Sequence, residues 1–270
     1  MNRSLRGFHW ALLLATGFLL YRFATGDARG GTENWKELKG DHFITYYVND
    51  EDFASEVLRK AEGHYHQISS DLGYQRYTNF WQWDRRVKIF IYAQVEDFLA
   101  GTGQPGWSKG VADYLKKEIR SYQGSEGFSE SLLPHEITHL IFRDYVGFKG
   151  EIPLWLDEGV AQWEEPEKRE SVRRLTKAII QQNKEFPLKL LTEMDIRQTQ
   201  DEAKVTLFYL QAASLVEFLV KKYGADDFIQ FCRQLRDGKR LDNALQFTYP
   251  TSMRNLEEME KNWREYVLGE

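Results

Sequence analysis

On a helix, residues four apart share a face, and His135-Glu136-Ile137-Thr138-His139 sets two histidines at that spacing. If that segment is helical, both rings face the same side, whether as paired ligands or as two satisfied histidines on a charged face. Two imidazoles one turn apart can bind one zinc ion. Glu136 lies about a third of a turn around from His135, where it reaches a water at such an ion without being a ligand. Zinc lowers the pKa of a water toward roughly 7, and a nearby glutamate can then take its proton. The five-residue pattern arises by chance in a chain this long on the order of one time in a hundred, so its surroundings decide. Leu132, Leu133, Leu140, Ile141 and Phe142 supply an apolar helical context, and Gly147 a stop. Pro134 is tolerated in a first turn and costly further in, so the helix is expected to start or kink near Leu133 and run to about Tyr145.

A catalytic zinc takes three protein ligands and a water. The chain of 270 residues has one cysteine, Cys232, so no intrachain disulfide and no thiolate-rich site can form. Histidine and carboxylate must hold any metal. Positions 142 and 145 are Phe142 and Tyr145, which excludes the metzincin spacing. The sequence offers Pro153-Leu154-Trp155-Leu156-Asp157-Glu158-Gly159-Val160-Ala161 instead, with Glu158 nineteen residues after His139. A turn through Gly147 to Gly150 lets a second helix, starting near Pro153, fold back on the first. Its first turn can then present Glu158 to the histidines.

Together, HEITH and WLDEGVA resemble the gluzincin metallopeptidases: the aminopeptidase-N-like enzymes and, more closely, the shorter peptidase MA-like proteins of bacteria. The strong match covers about residues 132 to 163, and a weaker one runs from Val87 to Trp263. The resemblance implies one zinc ion per chain, held by His135, His139 and Glu158, with Glu136 as general base and a peptide or protein as substrate. It also implies that Tyr209 assists the developing oxyanion. Tyr209 equally belongs to an apolar helical stripe with Val205, Phe208, Ala212, Leu215, Val216, Leu219 and Tyr223, where it can be a core residue. The Gly-x-Met-Glu-Asn segment with which aminopeptidases bind a free amino terminus is absent. Enzymes of this class pair substrate with an edge strand, for which the region 107–122 is the local candidate; an ordinary hairpin fits it as well.

The fold expected is α+β and zincin-like: a small mixed sheet lobe, then a mainly helical lobe, with the active-site helix between them. Strands are expected over Asp41–Val48, Arg86–Tyr92, Gly110–Leu115 and Glu118–Tyr122, and helices over Phe53–Leu72 and Val95–Ala100. Almost everything beyond Ser129 reads as helix. Gly224 ends the Tyr209 helix, Asp226 can cap the next, and Thr251 or Ser252 the last.

Arg3 and Arg6 precede an apolar run from Phe8 to Ala24. Residues 1–26 therefore read as a signal peptide or an uncleaved membrane anchor, and 27–34 as a linker to a catalytic domain over 35–270. Either reading exports the domain to the periplasmic or extracellular side, tethered to the inner membrane if the segment is uncleaved. A net charge of -5 argues against nucleic acid as a partner. Gln162 shares a helix face with Glu158 and Asp157 points elsewhere; either can support a metal-bound imidazole or simply be solvated. Glu164 to Arg169 reads as a solvated charged face, and His64 and His66 as surface residues. Tyr77, Trp81 and Trp83 read as a packed corner rather than a binding platform. Two other functions fit the same residues: a non-catalytic scaffold, and a zinc amidase acting on a non-peptide cell-wall amide.

Overall fold

The computed structural model describes residues 34–74, 81, 85–106, 108–147, 152–196 and 199–269. The expected export segment, Tyr77, Trp83, Trp107 and the stretch from Phe148 to Glu151 lie outside the described residues.

Five strands form one mixed sheet in the order β1-β2-β3-β5-β4. They are β1 (Lys36–Lys39), β2 (Phe43–Tyr47), β3 (Val87–Tyr92), β4 (Gly110–Asp113) and β5 (Glu118–Tyr122). The centre is parallel, with Phe43 opposite Val87 and Ile89 opposite Ile119. Both outer pairs are antiparallel. Strand β3 is buried at nearly every position because both its faces are covered, as central parallel strands require. The polar β1 is not legible from alternation, since Leu38 is its single apolar residue and the other three are exposed. On the core side, α1 (Glu51–Asp71) turns Ala54, Val57, Ala61, Tyr65 and Ile68 inward. Asp50 caps α1 by accepting from the Phe53 N–H at 2.9 Å. On the far side, α2 (Val95–Thr102) sets Phe98 into a small cluster with Phe90 and Tyr92.

The helical half follows a single π-helical turn, Phe128–Leu132, that leads directly into α3 (Leu133–Val146). Pro134 sits in the first turn of α3, where its missing N–H is harmless. Then come α4 (Leu154–Trp163), α5 (Pro166–Ile180), α6 (Leu188–Glu193), α7 (Glu202–Tyr223), α8 (Ala225–Arg236), α9 (Leu241–Thr248) and α10 (Leu256–Leu268). Two expected caps differ. Asp226 lies inside the first turn of α8 without capping it, and Asn255, not Thr251 or Ser252, caps α10 by accepting from the Glu258 N–H. Trp81 is fully buried and donates from Nε1 to Asp144 at 2.7 Å, which makes it part of a packed corner. Cys232 is buried in α8.

Helices α4 and α7 pack closely at Gly159. A Cβ there would stand 2.5 Å from the Ala212 carbonyl oxygen. Helix propensity alone predicts that Gly159→Ala stabilises α4 by about 1 kcal/mol. The backbone contact predicts the opposite sign, a loss of about 1–3 kcal/mol as the helices are forced apart. Urea denaturation reads the sign directly, and a variant as stable as the parent would mean that α7 yields at no cost.

Candidate metal centre

Helix α3 carries His135, Glu136 and His139, all buried, and α4 crosses it with Asp157 and Glu158. Glu158 is the fifth residue of α4, so it enters from the second turn, slightly later than the spacing alone predicts. The two rings meet with their Nε2 atoms 3.2 Å apart. Glu158 Oε2 lies 3.9 Å from His135 Nε2 and 3.7 Å from His139 Nε2. The structure thus brings His135, His139 and Glu158 to one point, with an atom from each within 4.8 Å of the others.

What lies behind the rings determines what they present in front. His135 Nδ1 donates to Glu165 Oε1 at 3.0 Å, and His139 Nδ1 to Asp157 Oδ1 at 2.9 Å. With the proton on Nδ1 in both rings, both Nε2 atoms turn lone pairs toward the same small volume. Glu158 Oε2 adds a third acceptor there and has no hydrogen-bond partner among the described residues. Three such atoms facing one another need a positive charge between them, either a proton on an Nε2 or a metal ion. The donor set, two imidazoles and a carboxylate, is the set that suits zinc. Burial lowers the pKa of His139, but Asp157 and Glu158 outweigh it and lift the value to about 10. The field that holds a proton so firmly also favours a divalent cation.

The supporting carboxylates depart from expectation. Asp157 does turn toward His139, and its other oxygen accepts from Arg143. Gln162 instead accepts from Lys168 Nζ at 2.8 Å. Glu164 and Glu165 are buried, so the solvated reading of that charged stretch is wrong. Pro166 starts α5 immediately after them, and the chain reversal tucks Glu165 against the π-helical turn, where Ser131 Oγ donates to Oε2 at 2.5 Å. Burial raises the Glu165 pKa, yet Lys168 and His135 together hold it down at about 2. Arg169 donates to Glu164 Oε2 at 2.8 Å. His64 is half-buried and lies 2.9 Å from the Ser129 carbonyl, so only His66 of that pair is a surface residue.

Two tyrosines border the centre. Tyr209 on α7 is buried, and burial reinforced by the carboxylates of Glu158, Glu136, Glu165 and Asp157 pushes its hydroxyl pKa well above 10. It therefore keeps its proton. Tyr114, which the sequence reading missed, follows the outer strand β4 and donates to Glu136 Oε2 at 2.9 Å. The Arg143 guanidinium lies 4.8 Å from its ring centre. No local pattern marks Tyr114, because its partner is twenty-two residues away and is reached through sheet pairing.

Among solved structures, the chain is similar to an M1 zinc metallopeptidase from Deinococcus radiodurans, with 15% identity and a TM-score of 0.47. The superposition covers 87% of this chain and 51% of the other, so the chain spans about half that enzyme's length. Among curated proteins, none matches the sequence. The family model described as Peptidase MA superfamily matches residues 78–269, well over half of the chain, and the chain belongs to that superfamily.

Proposed function

We propose that this protein is a zinc-dependent metallopeptidase in which Glu136 is the general base. One observation carries the reading: the Glu158 Oε2 atom, buried and unpartnered, faces two imidazole nitrogens already turned toward it by Asp157 and Glu165. When bound, zinc supplies a water acidified toward a pKa of roughly 7 and polarises the scissile carbonyl. His135, His139 and Glu158 would hold it. Asp157 and Glu165 keep the rings in the tautomer that offers Nε2. Glu136 takes the proton from water and returns it to the leaving amine. Tyr114 orients Glu136 through its hydroxyl. Tyr209, protonated and buried beside the same carboxylates, donates to the carbonyl oxygen as charge develops there. Strand β4 pairs with β5 alone among the described strands. A substrate backbone that pairs with its outer edge runs past Tyr114 and Glu136.

The test is hydrolysis of a mixed peptide library by the purified protein. Chelation should remove activity and zinc together, and added zinc should restore both. Within that assay Tyr209→Phe should lower kcat by about a hundredfold with little change in KM, the loss expected for one oxyanion donor. A protein that holds zinc and cleaves no peptide bond fits the scaffold reading instead. An undiminished kcat in Tyr209→Phe returns that residue to the core.

A further inference from the structure

A second set of imidazole and carboxylate donors meets on the sheet lobe, formed from different elements. His42 enters β2, while Glu62 and His66 lie one turn apart on α1. Donor atoms of all three fall within 4.8 Å of one another. Among the described residues, this trio and the candidate centre are the groups that bring three such donors together. They account for four of the chain's six histidines.

Two of the three donors are held in place before any ion arrives. Glu62 Oε1 accepts from the backbone N–H groups of His42 at 2.8 Å and Phe43 at 3.2 Å. Its Oε2 lies 2.7 Å from His42 Nδ1. The His42 ring is buried and stacked on Tyr65, with centroids 3.8 Å apart. Residue 40 is glycine, and a Cβ there would collide with Glu62 Oε1, so the loop is closed down onto the carboxylate. The exposed His66 approaches the His42 ring edge-on at 5.4 Å.

We propose that His42, Glu62 and His66 form a second metal site that takes a first-row transition cation such as zinc. Two nitrogens and one carboxylate oxygen suit zinc, nickel or copper, whereas calcium and magnesium require sets dominated by oxygen. Donors sharing one ion at about 2.0–2.1 Å stand farther apart than His42 and Glu62 do, so binding opens that pair by roughly half an ångström. The ion replaces the proton that now joins them. His66 swings in from the surface, and water completes the coordination. The site pins the entry of β2 to α1 and stabilises the native fold. With an exposed third ligand, it fills at higher zinc concentration than the candidate centre.

Zinc uptake by the full chain, followed by titration calorimetry and elemental analysis, tests this. The wild-type protein should take up two zinc ions per chain at saturation, one for each trio. His66→Ala, a surface change that leaves the Glu62 contacts to His42 intact, should lose the weaker of the two. Its peptide hydrolysis and its thermal stability without zinc should match the parent. In the His139→Ala background the weaker zinc should remain, and adding His66→Ala should remove it, so the result does not depend on the peptidase reading. If His66→Ala binds the same number of ions with the same affinities as the parent, the proposal is overturned. The Glu62 carboxylate then serves only to secure the turn before β2.

Discussion

Glu136→Gln is expected to lower peptide hydrolysis by about 10²–10⁴-fold while zinc uptake stays at the wild-type level. Glutamine keeps the size of the side chain and one oxygen, which can still accept from the Tyr114 hydroxyl now bonded to Glu136 at 2.9 Å. What it removes is the basic carboxylate. Glu136 is not among the three residues whose donor atoms converge, so the metal should be undisturbed. The variant thereby separates loss of a base from loss of a ligand. If zinc and activity disappear together, Glu136 is part of the coordination. Full activity in the variant would refute the mechanism.

The second large effect is expected in the anions behind the rings. Asp157→Asn and Glu165→Gln should each weaken zinc binding by about 10–100-fold, read by competition with a chelator of known affinity. An amide can turn its own NH₂ toward Nδ1, which then loses its proton and draws the donor pair away from the metal side. The two carboxylates act on different histidines, so the double variant should approach the product of the single losses. Arg143 and Lys168 lose their charge partners as well, and this costs stability. A purely structural role would show in the melting temperature alone. A variant that melts earlier and holds zinc as tightly as the parent would remove Asp157 and Glu165 from the metal's support.

The contrast between these carboxylates and the ligands they support shows where a sequence stops being informative. Asp157 and Gln162 lie on the same helix, and each faces a different neighbour according to how α4 is rotated about its axis. That rotation is set by Gly159 packing on the Ala212 carbonyl of the distant helix α7. Glu165 reads as solvated because Glu164 to Arg169 is charged nearly throughout. Its burial depends on the π-helical turn 34 residues earlier, which supplies Ser131. Tyr114 reaches Glu136 only because β4 lies at the edge of a sheet whose order departs from chain order. The polar strand β1 is selected by its pairing with β2 rather than by its own composition, whereas the Asn255 cap is a local signal, three residues from the Glu258 N–H it accepts from.

Spacing along the chain was sufficient for the helix around HEITH, its start beside Pro134, the shared face of His135 and His139, and the return of a second helix bearing Glu158. These are consequences of a 3.6-residue period and of the backbone limits of proline and glycine, and both act over a few bonds. Which carboxylate stands behind each ring, which tyrosines border the pocket, and where His42 meets Glu62 and His66 are consequences of distant segments closing on one another. Their energies come from packing and from burying charge beside its partner, and no short stretch of residues contains that information.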